Sequence, residues 1–262
     1  MLRRDALRLG ATTSVAALTA VSMLAAASPA RAEFVDAPDV VVFCDPALRD
    51  ALRRLGLLFR ARTNAPVRLM CAPGNLMAAQ LKRNERDDIF ISLLPIIRQL
   101  AAAGLADPQP SAGSWRNRLV IAGHGTGGGA LAPDALPALL ADRKLGAPDP
   151  GPNAIVDTPA LIRRLGLEQA LAGRISGQVD TGTVAWLLAR DQVGLGLVLS
   201  TDARGGGLAT AVAIPDDAYP AVRYAAAFSK HVLSRNAAAF MQFLATDQAR
   251  ASLTDSGLEI EA

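Results

Sequence analysis

Short β-branched runs alternate along the chain with longer stretches whose apolar residues recur every three or four positions. Val40-Val41-Val42-Phe43 is uninterrupted and apolar, the pattern of a strand buried on both faces. Over 46–62, Leu48, Leu52, Leu55, Leu58 and Phe59 share one helical face, and Asp45 followed by Pro46 is a helix-start signal. The same reading places strands at 67–71, 89–91 and 118–122, with helices over 75–83 and 95–103 and a loop over 108–114. Strands and helices joined by short connections predict a parallel sheet covered on both faces.

The composition then shifts. Residues 123–129 are rich in glycine, and Gly146-Ala147-Pro148-Asp149-Pro150-Gly151-Pro152 reads as a loop. A second α/β unit is expected from a strand at 154–156, a helix near 183–190 and strands at 195–199 and 209–214. A strand at 222–228 leads back towards the first half, and 236–251 has the pattern of one long amphipathic helix. The expectation is two α/β lobes: 33–122 with 222–262, and 123–221.

An apolar content of 51% excludes a disordered chain, and two cysteines exclude a disulfide-dense scaffold. The net charge of +3 resides in the first 32 residues, where four arginines oppose one aspartate, leaving 23 basic and 23 acidic groups beyond. No general basic field for nucleic acid remains. Arg3 and Arg4 open a basic segment, an uncharged stretch follows, and Ala30-Arg31-Ala32 has small residues where a signal peptidase reads. Residues 1–32 are therefore expected to be an export signal, twin-arginine-like but open to either the Tat or the Sec route, cleaved before Glu33, with a soluble periplasmic product.

Several segments together resemble the periplasmic molybdate-binding proteins, type II solute-binding proteins of ABC importers. They are Val42 to Leu52, Asp88-Ile89-Phe90-Ile91-Ser92, Asn117 to Ala122, Gly196 to Ala203, Val222 to Ala227, Ala239 to Leu244 and Ala249 to Leu258. The resemblance implies a two-lobe periplasmic-binding-protein fold, each lobe a doubly wound, mostly parallel sheet, with the ligand cleft between them. It also implies a small-molecule or oxyanion ligand, an inner-membrane permease and ATPase as partners, a monomer, and neither cofactor nor catalysis.

By resemblance the ligand positions fall at Ala47, Gly74, Asn75, Ala160, Thr181 and Leu199. The family places serines at the first two helix starts and a tyrosine at the last position; here Ala47, Gly74 and Leu199 carry no hydroxyl. Backbone N–H groups at Ala47, Gly74 and Ala160, with the Thr181 hydroxyl, remain as oxyanion donors. Each lost hydroxyl bond costs about 1 kcal/mol, more towards an anion, and Asp45 adds repulsion. Molybdate is expected to bind weakly or not at all.

Cys44 and Cys71 end the first two strands, at the carboxyl edge where ligands bind in open α/β sheets. Three readings stand: a disulfide, two inert core thiols, or a soft copper(I) site completed by Met70 and Met77. Gly123-His124-Gly125-Thr126-Gly127-Gly128 matches a dinucleotide fingerprint, but Pro133 precedes any helix. A periplasmic enzyme on the same fold is the competing class. No G-x-S-x-G elbow occurs to support it, and His124 and His231 read as surface residues. The run Lys82 to Asp88 reads as a solvated helix end and turn.

Overall fold

Two mixed sheets organise the chain. The first is built on β1 (Val40–Cys44), flanked in parallel by β2 (Val67–Cys71) and β3 (Ile89–Leu93). It continues through strands that come from later in the chain, all antiparallel. These are β4 (Ala106–Pro108), β5 (Ser114–Asn117), β11 (Val222–Ser229) and β12 (Leu258–Glu261), in the order β12-β5-β11-β3-β1-β2 with β4 beside β11. The second sheet contains β6 (Leu119–Gly123), β7 (Leu145–Pro148), β8 (Ile175–Gln178), β9 (Leu195–Leu199) and β10 (Ala209–Ala213), ordered β10-β6-β9-β7-β8. There β7 runs parallel to both β8 and β9, while β6 is antiparallel to β9 and β10. The computed structural model describes residues 39–73, 76–77, 79, 87–124, 135–140, 143–151, 155–230 and 234–261, within one compact unit, Glu33–Ala262.

The helices follow the strands. A 3-10 turn at Pro46–Leu48 leads into α1 (Arg49–Thr63), which buries Leu52, Leu55 and Phe59 and ends at Asn64 in the left-handed conformation. Further helices are α2 (Leu94–Ala102), α3 (Leu136–Leu139), α4 (Thr158–Arg164), α5 (Thr181–Leu188), α6 (Ser200–Gly205), α7 (Asn236–Leu244) and α8 (Asp247–Asp255). Phe59 meets Phe240 edge-on at 5.1 Å and Phe243 at 5.6 Å, fixing α1 against α7. Gly56 lets α1 lie close to β2, since a Cβ there would stand 3.2 Å from Val67 Cβ.

Four expectations about elements change. The run expected as a loop at 146–152 begins inside a strand: β7 is buried throughout and central to its sheet. Its Gly146 serves packing rather than turning, because a Cβ would come within 3.2 Å of Val184 and 3.3 Å of Val193. Ile155 and Val156 form a bend before α4 instead of a strand. The single helix expected over 236–251 is two, because Thr246 turns extended and accepts from Ala249 N at 3.3 Å, capping α8. Lastly, β6, assigned from sequence to the first lobe, hydrogen-bonds within the second sheet.

The chain therefore passes between sheets at Arg118 and again between β10 and β11. At the first passage Asn117 Nδ2 donates to Thr201 Oγ1 at 2.9 Å, and Leu119 N donates to the Tyr219 hydroxyl at 3.0 Å. Asp87 and Asp88 are buried rather than solvated. Asp88 accepts from Val41 N and from Ser234 N, each at 2.8 Å, so it links β1 to the segment before α7. The expected helix at 75–83 lies largely outside the described residues, as do His231, residues 125–134 and the expected export signal at 1–32.

Candidate ligand-binding cleft

In a doubly wound sheet the carboxyl ends of parallel strands point at the ligand position. Here β1 leads into Asp45, β7 ends at Pro148, β8 leads into Val179-Asp180, and β9 leads through Ser200 into Thr201-Asp202; Asp45, Pro148, Val179, Asp180, Thr201 and Asp202 line one cavity of about 780 Å³. Its walls come from both sheets, with Ala47, Arg49 and Arg54 from one side and Gly182, Trp186 and Arg190 from the other. The size suits a small organic molecule.

Four aspartates, Asp45, Asp50, Asp180 and Asp202, and four arginines line the cavity. Asp45 is buried, at 5% exposure, and accepts from Ala47 N at 3.1 Å, closing the start of the 3-10 turn. Burial, together with the nearby Asp180, pushes its carboxyl up to about 6. Asp202 is the third residue of α6, and its carboxyl reaches back towards Leu199 N, the acidic half of a capping box. Its Oδ2 is sealed from water and takes no hydrogen bond. Burial first, then Asp45 and Asp180, raise Asp202 to about 7 against the pull of Thr181 and the Leu199 backbone. Asp180 caps α5 by accepting from Thr183 N at 2.7 Å. Tyr224, fully buried, is pushed well above its usual range by desolvation and by the fields of Asp45 and Asp202. Arg49, Arg54, Arg190 and Arg204 stand exposed at the rim, Arg190 stacked over the Trp186 ring at 3.9 Å.

The model of the bacterial extracellular solute-binding protein family matches residues 40–259. The chain belongs to that family. Its fold is that of the type II periplasmic binding proteins. The periplasmic molybdate-binding protein of Azotobacter vinelandii superposes with a TM-score of 0.67 at 18% identity, covering 85% of this chain and all of that one. The substrate-binding domain of a putative molybdenum ABC transporter from Clostridium difficile gives 0.65 at 15% identity, over 86% of this chain and 99% of that one. Peb3 from Campylobacter jejuni gives 0.61 at 17%, over 84% and 99%. No curated protein sequence matches the chain.

In this solute-binding protein the six positions named from resemblance do not all meet. Ala47 and Thr181 line the cavity. Leu199 is fully buried at the end of β9, and Ala160 lies on α4; neither belongs to the lining. Gly74 and Asn75 fall outside the described residues. The backbone donors at two of these helix starts are already engaged: Ala47 N by Asp45, and Ala160 N by Asp157 at 3.0 Å. Asp180 and Asp202 did not stand out from the sequence. The available signal was an aspartate within a residue or three of each post-strand helix start, at 45, 157, 180 and 202.

Cys44 and Cys71 sit directly opposite each other in the parallel register, with their sulfurs 2.7 Å apart. Cys44 is shielded, and the neighbouring Cys71 together with burial drives its thiol far up. Cys71, half-buried beside Cys44 and Arg49, falls to about 6. Met70 occupies the alternate position on the strand, and Met77 packs with Phe43 and Phe90 in a different cluster from Cys44. Among the described residues no group of three or more His, Cys, Asp or Glu side chains is placed to hold a metal ion.

Proposed function

We propose that the chain is the exported solute-binding component of an ABC importer, delivering its ligand to an inner-membrane permease and ATPase. The observation that carries this reading is the cavity walled by strand ends and helix starts of both sheets, where closure of one sheet on the other would enclose a solute. Ala47 and Thr181, with Asp45, Asp180 and Asp202, are the ligand-contacting positions this reading assigns. Export follows the family, and a leader over 1–32 cleaved before Glu33 delivers the protein to the periplasm.

Molybdate is not the ligand this site suits. An oxyanion pocket offers free N–H groups at helix N-termini. In the cleft of this chain aspartates occupy those donors at Ala47 and Thr183, so an incoming dianion meets carboxylates there. The test is calorimetry and thermal shift with molybdate, tungstate, sulfate and phosphate, beside amines, amino acids and sugars, with solution scattering on every hit. A binding solute that narrows the particle supports the transport role. A particle equally open with every solute overturns it, and submicromolar molybdate binding overturns the exclusion.

A further inference from the structure

We infer that Cys44 and Cys71 are a redox-active pair that exchanges with small thiols and disulfides, Cys71 being the nucleophile, Cys44 the buried partner and Arg49 the cation that holds the thiolate. The inference stands apart from the solute-binding reading and adds a second chemistry to the first sheet.

Three observations carry it. The first is register. β1 and β2 are adjacent and parallel, Cys44 is opposite Cys71, and the two sulfurs face each other. Neighbouring strands stand about 4.8 Å apart, inside the Cα separation that a disulfide spans. Both thiols belong to the face that α1 covers, because Cys44 shares a core cluster with Leu52, Leu55 and Phe59 and Cys71 packs against it. The bond can therefore open and close without moving a strand.

The second observation is unequal access. Cys44 is sealed in the core, whereas Cys71 is half-buried at the end of β2, the edge strand of its sheet. An incoming sulfur reaches one member of the pair, so exchange has a fixed order.

The third is Arg49, the first residue of α1, whose exposed side chain lies beside Cys71 as a charge-assisted donor to its sulfur. The groups acting on Cys71 are Cys44 on β1, Asp45 just after it and Arg49 on α1. Donation from Cys44 draws the Cys71 thiol down first and Arg49 adds to it, against burial and the field of Asp45, leaving it at about 6. Cys44 is driven far up by Cys71 and by burial. At neutral pH Cys71 is thus the thiolate and Cys44 keeps its proton. A purely structural disulfide needs neither the cation nor the asymmetry.

The exchange balances as follows. The Cys71 thiolate attacks one sulfur of a small disulfide, RSSR, forming a Cys71–SR bond and releasing RS⁻. Cys44 gives its proton to that thiolate and attacks Cys71 Sγ, closing the Cys44–Cys71 bond and expelling a second RS⁻. The protein pair loses two electrons and the small disulfide gains them; excess thiol runs the same steps backwards. Arg49 stabilises the thiolate and hence the reduced pair, so the bond opens more readily than a structural one. Met70, at the alternate position of β2, and Met77, in a separate cluster, leave two sulfurs rather than a soft-metal set.

The experiment equilibrates the purified, folded protein with reduced and oxidised glutathione at pH 7 without oxygen, then traps thiols with maleimide for mass spectrometry. Opening of the bond within the glutathione range is expected, with circular dichroism unchanged, where structural disulfides stay closed. Iodoacetamide on the reduced protein between pH 5 and 8 should label Cys71 before Cys44, with a rate midpoint near 6. Arg49→Gln should raise that midpoint and shift the glutathione equilibrium towards the disulfide, by about threefold or more, and Arg49→Lys should restore most of both. Cys44→Ser, which cannot resolve, should accumulate a glutathione adduct on Cys71. A bond that glutathione opens only in urea overturns the inference, as do two thiols that alkylate alike, or rates and equilibrium indifferent to Arg49→Gln. None of these results bears on whether the cleft binds a solute.

Discussion

Asp202→Asn should stabilise the empty protein, and only at neutral and alkaline pH. The folded state holds this carboxyl near 7, three units above its ordinary value of 3.8. Below pH 4 both folded and unfolded chains carry the proton and the position costs nothing. Between pH 4 and 7 the unfolded chain gives up its proton while the folded chain retains it, so stability falls as pH rises. Above 7 both are ionised and the penalty is constant, at about 4 kcal/mol for a rise from 3.8 to about 7. That penalty is already net of the favourable contacts with Thr181 and the Leu199 backbone, so a neutral asparagine that keeps a carbonyl acceptor recovers most of it. The gain is about 3–4 kcal/mol at pH 8 and vanishes near pH 4. Urea unfolding followed by tryptophan fluorescence at pH 4, 6 and 8 measures it. A variant less stable than the parent at pH 8, or a difference that does not change with pH, would refute the argument that burial strains this carboxylate. A gain in stability coupled to a loss of ligand would mark a residue kept for binding at the expense of the fold.

Other expectations test separate parts of the molecule. Exported protein, unfolded without reductant, should show no reactive thiol, because facing sulfurs 2.7 Å apart will pair in an oxidising compartment. Two thiols would refute it, and Cys44→Ser should cost about 3–4 kcal/mol, the value for a loop of 27 residues. Gly196→Ala should destabilise by about 1–3 kcal/mol in thermal or chemical unfolding, since its Cβ would stand 2.5 Å from both Leu188 Cδ1 and Val184 Cγ1. Phe59→Ala, emptying the contact with Phe240 and Phe243, should cost about 3–5 kcal/mol. Intact mass of the periplasmic form should begin at Glu33, and a mass retaining 1–32 would refute the cleavage site.

Much of the fold was legible because it rests on local signals. Val40 to Phe43, Leu195 to Leu199 and the leucine face of α1 carry their periodicity in themselves, and tertiary packing had nothing to overrule. The misread pieces are those where packing gives a residue a different purpose. Gly146 and Pro148 look like turn residues, yet they complete a buried strand because α5 presses against it too closely for a side chain. Thr246 sits within an unbroken helical pattern, yet its hydroxyl starts a new helix. Asp87 and Asp88 end a charged run, yet burial and two backbone donors claim Asp88.

The sequence by itself determined the α/β class, the strands near 40–43, 195–199 and 222–228, and the absence of hydroxyl side chains at 47, 74 and 199, because each depends on residues close together in the chain. It also placed Cys44 and Cys71 at the ends of two strands expected to be neighbours, while the register that sets them opposite each other came from the tertiary structure. Only the tertiary structure decided which charged residues share the cleft. Asp45, Asp180 and Asp202 come from three separate strand ends and share one cavity. Each alone is an ordinary helix-start residue with a solvated charge. Burial of Asp45 and Asp202, with the field of Asp180 on both, raises their pKa, because charges interact through distance and burial, which no local pattern encodes.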